Sequence, residues 1–178
     1  MKDKVFTPHS MGRMAMCVAL ISVAGYIAFP TPFSPVMVTA TTLALGITAL
    51  VLPPKQTAVA IFVWILLGTA GVPVFSGGQG GIGKLLGPSG GFFPGFFVGY
   101  TCVSYLKGRS YNWKRYLLVL LAVAFPITYI LGIAYMMLTL HVELWQAMTM
   151  GMFSFIPGDI IKAVAAAFLG VRLNKVLS

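Results

Sequence analysis

The chain contains very few acidic residues. Only three of its 178 residues are Asp or Glu, and charged residues of both signs make up 8%. Water-soluble domains carry about a quarter charged residues, so this composition cannot supply a hydrated surface. Hydrophobic residues account for 58% of the chain, and the mean hydropathy is +0.93. The sequence therefore predicts an integral membrane protein in which residues 1–178 form one transmembrane domain.

Cysteine and histidine are also scarce, with two of each. Cys17 and Cys102 both fall in apolar runs, which predicts buried inert thiols and excludes a disulfide framework. His9 and His141 are isolated at the borders of apolar runs, so the sequence predicts no metal site. The segment GGQGGIG (residues 77–83) lacks the Gly-Lys-Ser/Thr ending of a phosphate-binding loop. We therefore predict no cofactor and no ATP hydrolysis by this chain.

Apolar runs recur along the sequence, and a membrane span needs about 17–25 residues. A shorter run over 144–156, broken by Pro157 and Gly158, predicts a half-helix or lid before the last span. Pro126 is expected to bend the fifth span. The predicted fold class is all-α, with a glycine-rich outer loop between helices 3 and 4. The six predicted transmembrane helices lie within residues 14–29, 36–52, 57–75, 90–106, 116–140 and 160–177.

The net charge of +9 raises the question of a nucleic-acid partner. With the N-terminus in the cytoplasm, only Lys84 lies in an outer loop and Lys162 lies just within the last span. This asymmetry follows the positive-inside rule of membrane proteins. It predicts a multi-pass protein of the cytoplasmic membrane with both termini inside, in contact with the lipid bilayer and not with nucleic acid. The ten basic residues on the cytoplasmic side are Lys2, Lys4, Arg13, Lys55, Lys107, Arg109, Lys114, Arg115, Arg172 and Lys175.

The glycine-rich loop is the first candidate for a binding site. Eight of the residues from 77 to 91 are glycine, a composition that costs conformational entropy on folding. Irregular backbone at membrane depth is tolerated only where it is buried in protein or lines a cavity. The loop therefore predicts the wall of a ligand site, although Lys84 has the alternative of an ordinary solvated charge. The site residues predicted in this loop are Gly77, Gly78, Gln79, Lys84 and Ser89.

Asp159 and Lys162 are a charged pair near the start of the last span. Three residues apart on a helix, they face the same side. Charges in a span are costly and indicate function, whereas the alternative is a structural ion pair with Asp159 as the helix N-cap. Beside the glycine-rich loop, the pair predicts a polar clamp for a small ligand within an apolar wall. The aromatic residues predicted for that wall are Trp64, Phe75, Phe92 and Phe93.

Small residues recur every four positions in two of the predicted spans. In the fourth span, Gly91, Gly95 and Gly99 predict close packing against another helix of the same chain. Near the cytoplasmic end of the first span, Ala15 and Ala19 leave two alternatives open. They either pack internally or form a docking face for another protein.

Four sequence blocks resemble the signature blocks of one family. They are GVPVF (71–75), GGQGG (77–81), LGPSGG (86–91) and PGDIIK (157–162). Their order, together with six spans and the chain length, is similar to that of BioY, the biotin-binding S-components of energy-coupling factor (ECF) transporters. Ser89 stands where the family commonly has Thr, and this change keeps the hydroxyl group.

The resemblance implies high-affinity biotin uptake across the cytoplasmic membrane. It implies that Asp159 binds the ureido N–H groups of biotin and that Lys162 binds either the ureido carbonyl or the carboxylate. It also implies partner proteins, namely a transmembrane coupling subunit, on which Ala15 and Ala19 would dock, and ATPase subunits. One alternative is a small membrane enzyme or enzyme subunit that uses Asp159 and Lys162 as acid and base, although no other catalytic group accompanies them. A further alternative is a purely structural membrane subunit.

Overall fold

The computed structural model describes residues 7–32, 34–108 and 111–177, and the chain is mostly helical. Lys2, Lys4 and Arg109, which were counted on the cytoplasmic side, lie outside these ranges. The elements in chain order are α1 (Pro8–Tyr26), β1 (Ala28–Thr31), β2 (Ser34–Thr39), α2 (Thr41–Val51), α3 (Pro54–Thr69), α4 (Ile82–Leu86), α5 (Phe92–Leu106), α6 (Trp113–Val119), α7 (Phe125–Leu140), α8 (Leu144–Met148) and α9 (Ile156–Leu177).

Two helical stretches in the described part of the chain combine the length and hydropathy needed to cross a membrane. They cover residues 113–140 and 144–177, with 28 and 34 residues. The first joins α6 to α7 through a π-helical segment, and the second joins α8 to α9 through another. Pro126 is the second residue of α7, just after the first π-helical segment, where the missing N–H is tolerated. The helices α2, α3 and α5 are apolar but shorter.

A β-hairpin stands where the apolar runs predicted helix. Strands β1 and β2 pair antiparallel, with Ala28 opposite Thr39. The predicted spans 14–29 and 36–52 are therefore wrong at these ends, because α1 ends at Tyr26 and α2 begins at Thr41. The reason is a local cluster of prolines, which cannot donate helical hydrogen bonds. Those residues are Pro30, Pro32 and Pro35.

The glycine-rich loop is built from tight turns and the short helix α4. The predicted third span ends early, at Thr69 instead of residue 75. The Phe75 N–H donates to the Gln79 carbonyl at 2.9 Å and closes a turn. Within this turn Gly77 and Gly78 have φ angles of 72° and 69°, which glycine adopts without steric strain. These two glycines are therefore explained by the turn itself.

The centre of the fold is α2, which packs against α1, α5 and α9. All residues from Ala44 to Leu50 are buried. The predicted packing role of the glycines in α5 is confirmed, because a Cβ at Gly95 would lie 2.8 Å from the Cα of Thr128 on α7. The core thus packs α2 against α5 and α9, and α5 in turn against α7. These four helices carry the polar groups described below.

The last carbonyl groups of α2 are bonded by side chains from other helices. A helix leaves four such carbonyls without helical partners. Ser104 on α5 donates to Leu52 at 2.6 Å, and Asn174 on α9 donates to Leu50 at 3.0 Å. Lys107 donates three hydrogen bonds of 2.6–3.0 Å, to the carbonyl oxygens of Ala49, Leu50 and Leu52. We call this set of donors the carbonyl clamp.

Candidate ligand-binding site

Asp159 lies in the first turn of α9. The helix begins at Ile156, so Pro157 occupies an early position where its missing N–H is tolerated. The Asp159 N–H donates to the Phe155 carbonyl at 2.8 Å. The alternative of Asp159 as N-cap is therefore wrong, and its side chain is free to point away from the helix end. The positive end of the helix dipole still favours a carboxylate here.

The carboxylate of Asp159 accepts three hydrogen bonds. Its Oδ1 accepts from the Thr42 hydroxyl at 3.0 Å and from the Lys162 Nζ at 2.9 Å. Its Oδ2 accepts from the Tyr129 hydroxyl at 2.7 Å. The Asp159 and Lys162 side chains are only 6% and 17% exposed. A buried charge of this kind requires a counterion and hydrogen-bond donors, and both are present.

Further contacts tie this group to α2 and α5. The Lys162 Nζ also donates to the Thr42 hydroxyl at 3.4 Å, and the Tyr100 hydroxyl donates to the Thr42 carbonyl at 3.4 Å. We call Thr42, Tyr100, Tyr129, Asp159 and Lys162 the polar cluster. Its members come from α2, α5, α7 and α9, so the packing of the whole fold holds the charged pair in place.

A cavity adjoins the polar cluster, and all five cluster residues border it. Its remaining wall is largely apolar, as in typical small-molecule sites. Strand β2 supplies Val36, Met37 and Thr39, so the hairpin that the sequence did not predict forms part of the wall. The aromatic residues that line the cavity are Trp64, Phe92, Phe93, Phe96, Phe125 and Phe155.

The structure brings half of the ten predicted ligand-site residues to this cavity. They are Asp159, Lys162, Ser89, Phe92 and Trp64. Of the aromatic residues predicted for the wall, Phe75 alone does not line the cavity. It is fully buried against Gly68, with its ring 5.3 Å from Trp64 and 4.5 Å from Phe93. Phe75 thus supports two wall residues from behind.

The remaining predicted residues of the glycine-rich loop do not line the cavity. The Gly77 N–H donates to the Gly25 carbonyl at 2.8 Å, and a Cβ at Gly78 would lie 2.8 Å from the Tyr26 ring. This backbone is therefore close to the end of α1. Gln79 and Lys84 bond to each other, with the Lys84 Nζ donating to the Gln79 Oε1 at 2.8 Å. Burial lowers the pKa of Lys84, so it is not a fully solvated loop charge.

Sequence reasoning missed Thr42, Tyr100 and Tyr129. Each is a hydroxyl residue in or beside an apolar run, where a Thr hydroxyl commonly bonds to the backbone of its own helix and a Tyr is typical of the packed core. Their role becomes visible only once the helices are packed together. The one available signal was that a buried carboxylate at Asp159 requires more donors than Lys162 alone.

A second feature is an apolar groove on the exposed faces of α1 and α3. Ala15 and Ala19 are exposed and line this shallow groove with Met11, Val59 and Val63. The alternative of internal packing for these two alanines is therefore wrong within this chain. The groove runs over the middle of α1, and it does not share a residue with the cavity.

The fold is shared with a class of protein, the S-components of ECF-type transporters. The structure matches the crystal structure of the S-component for biotin from an ECF-type ABC transporter with a TM-score of 0.87. The match covers 96% of this chain and 95% of the other, at 26% sequence identity.

The sequence matches at the level of the family. The model of the BioY family covers residues 1–178. The chain is 33% identical to a probable biotin transporter BioY of Bacillus subtilis, covering 94% of this chain and 91% of that protein. It is 33% identical to the biotin transporter BioY of Thermotoga maritima, covering 92% and 94%. This chain belongs to the BioY family.

Proposed function

We propose that the protein is the substrate-binding subunit of an ECF-type transporter and takes up biotin across the cytoplasmic membrane. The observation that carries the proposal is the buried Asp159–Lys162 pair at the edge of an apolar cavity, in a chain of the BioY family. Relatives that align over most of the chain are named biotin transporters. Energy for transport would come from partner ATPases.

Biotin matches the chemistry of this cavity. Its ureido ring presents two N–H donors and a carbonyl, its thiophane ring is apolar, and its side chain ends in a carboxylate. Asp159 accepts from the ureido ring at an N–H group, and Lys162 donates to an oxygen of biotin, either the carbonyl or the carboxylate. Trp64 and Phe92 cover the apolar ring, and Ser89 adds a hydroxyl. That Gln79 and Lys84 bind the ligand stays a prediction.

The alternative of an acid–base enzyme has weaker support. Acid–base catalysis needs positioned proton-transfer groups, and beside Asp159 and Lys162 the described residues that line the cavity include no Glu, His or Cys. The Asp159 carboxylate is itself held in place by three donors. Such an arrangement favours a fixed hydrogen-bond acceptor for a ligand. We therefore regard the chain as a transporter subunit and not as an enzyme.

Equilibrium binding to the purified protein tests the proposal. Wild-type protein in detergent, freed of endogenous ligand, should bind biotin at nanomolar concentration with one molecule per chain. Thiamine, which has no ureido group, is the control ligand and should not compete. Absence of biotin binding up to micromolar concentration would refute the function proposed here.

We further propose six spans, formed by α1, α2, α3, α5, α6–α7 and α9, with both termini in the cytoplasm. In support, the Arg13 Nη2 donates to the Leu177 carbonyl at 3.3 Å, which joins the first part of α1 to the end of α9. Cysteine labelling tests the orientation in a background where Cys17 and Cys102 are replaced by Ala. A reagent added outside should label Gln79→Cys but not Ser110→Cys, whose position lies outside the described residues; the reverse pattern would contradict the topology.

The apolar groove of α1 and α3 is proposed as the face that docks on the coupling subunit. Exposed small residues let another helix approach closely, and Ala15→Leu with Ala19→Leu would block that approach. Uptake should fall at least about tenfold, while biotin affinity and melting temperature of the isolated protein stay near the wild-type values. The matched control is Ala134→Leu, at an exposed position of α7. Unchanged uptake in the double variant would rule out this groove as the docking face.

A further inference from the structure

Two threonines that line the cavity have hydroxyls without a hydrogen-bond partner among the described residues. Thr41 and Thr128 are 3% and 6% exposed, and the hydroxyl oxygen of each is buried. Both residues line the cavity. A buried hydroxyl without a partner costs free energy, so such groups are rare and call for an explanation.

The other helical hydroxyls show what is unusual about these two. A serine or threonine on a helix commonly donates to the carbonyl four residues earlier. The Thr128 hydroxyl does not donate to the Ala124 carbonyl, although that residue lies four positions earlier. Thr41 begins α2 and has no preceding helical turn to which it could donate. Six hydroxyls among the described residues do donate to the carbonyl four residues earlier, namely those of Ser22, Thr57, Thr69, Thr101, Thr139 and Thr149.

The remaining unpartnered threonines lie elsewhere. Thr31 belongs to the hairpin, and Thr48 lies within hydrogen-bond reach of the Cys17 thiol. Neither residue borders the cavity. Within the part of the chain that the structure describes, Thr41 and Thr128 are therefore the cavity-lining residues with a buried and unpartnered hydroxyl.

The hydrogen-bond capacity of Asp159 indicates a use for them. A carboxylate offers about four acceptor positions, and Thr42, Lys162 and Tyr129 occupy three of them. The one that remains is on Oδ2. A cyclic urea presents two N–H donors and a carbonyl, so Asp159 held in this way accepts only one of the two N–H groups.

We propose that the hydroxyls of Thr41 and Thr128 bind the ureido ring directly. They form hydrogen bonds to the polar atoms of the ring that Asp159 does not bind. This inference rests on the proposed function. A hydroxyl both donates and accepts, so one can accept the second N–H while the other donates to the carbonyl. Thr41 and Thr128 directly precede Thr42 and Tyr129, which hold the carboxylate from α2 and α7. Thr41 and Thr128 thus line the cavity from the same helices, and their hydroxyls would make it selective for a cyclic urea.

Removal of each hydroxyl at constant shape tests the proposal. In Thr41→Val and Thr128→Val, biotin affinity should fall about tenfold, as expected for a hydrogen bond lost from a buried ligand group. The melting temperature without biotin should stay equal or rise, because the hydroxyl has no partner in the protein. Thr41→Ser and Thr128→Ser should keep the affinity within about threefold. The matched control is Thr101→Val, whose hydroxyl bonds to the Phe97 carbonyl and does not line the cavity.

Ligand analogues sharpen the test. Two cyclic carbamate analogues of biotin, in which one or the other ureido N–H is replaced by oxygen, should both bind wild-type protein more weakly than biotin. For one analogue the penalty should largely disappear in a Val variant, which identifies the N–H that the hydroxyl accepts. If wild-type protein binds biotin but both Val variants bind it equally well, or lose melting temperature together with affinity, the inference is wrong. If wild-type protein does not bind biotin, the proposed function itself fails.

Discussion

The two ends of α2 carry similar polar groups in different surroundings. At the Thr41 end, the polar cluster surrounds a carboxylate and borders an open cavity. At the Val51 end, the carbonyl clamp bonds to the last backbone carbonyls of α2, and its donor residues do not line that cavity. Both ends hold a largely buried lysine and a buried hydroxyl. The two ends differ in the hydrogen-bond donors and acceptors that are left for a ligand once the chain has folded.

The two lysines make this difference concrete. An ammonium group has three N–H donors. Lys107 directs them at three backbone carbonyls, so the fold uses its full capacity. Lys162 donates to Asp159 and Thr42, which leaves one donor for a molecule in the cavity. A buried lysine is therefore structural when its donors are all used by the protein, and it is a candidate ligand group when one remains.

The largest expected effect is at the Thr41 end. Asp159→Asn keeps the shape but places an amide donor where biotin presents an N–H. Loss of a charge-assisted hydrogen bond, worth about 1.5–3 kcal/mol, should weaken biotin binding at least tenfold. A titration of the purified variant measures this, with Glu143→Gln as the control because Glu143 does not line the cavity. Equal affinity for the Asn variant would remove Asp159 from the site.

An intermediate effect is expected at the Val51 end. Ser104→Ala removes the donor to the Leu52 carbonyl, and the residue is only 3% exposed. The free energy of unfolding should fall by about 1–2 kcal/mol, because a buried carbonyl loses a partner. Biotin affinity of the folded fraction should not change. Denaturation in detergent tests this, with Thr149→Ala as the control because Thr149 is exposed. A loss of biotin affinity in Ser104→Ala would contradict the purely structural role of the Val51 end.

The smallest expected effect concerns Tyr129. Tyr129→Phe removes the donor to the Asp159 Oδ2 but leaves the carboxylate itself. The carboxylate would be less well oriented, and biotin affinity should fall about threefold to tenfold. Tyr105→Phe, at a residue that is 78% exposed, serves as the control. If Tyr129→Phe binds biotin more tightly, the freed acceptor position matters more than the orientation of the carboxylate.

The parts of the site that local sequence determines could be predicted. Asp159 and Lys162 share a helix face because of their spacing, and charges in an apolar run are visible in any sequence. The glycine-rich loop between the third and fourth apolar helices was also visible from composition. Both features depend only on residues that are neighbours in the chain.

The parts that depend on packing between helices could not be predicted. Tyr129 and Thr42 meet Asp159 only because α2, α7 and α9 converge, and nothing local in the sequence marks that contact. The hairpin escaped prediction because its valines and methionine resemble an apolar span, although the prolines around Ser34 were a usable signal. Phe75 was wrongly predicted to line the cavity, and the structural role of Lys107 was not predicted. In both cases the residues that they contact lie far away in sequence.

One measurement tests the central claim most directly: biotin affinity and melting temperature for Lys162→Met and Lys107→Met, side by side. Both variants keep an apolar stem of similar length and remove the ammonium group. The account predicts at least tenfold weaker biotin binding of the folded protein for Lys162→Met, together with a lower melting temperature, because the buried Asp159 loses its counterion. For Lys107→Met it predicts a clearly lower melting temperature with unchanged affinity of the folded protein. Unchanged affinity in Lys162→Met, or an equal loss of affinity in both variants, would contradict it.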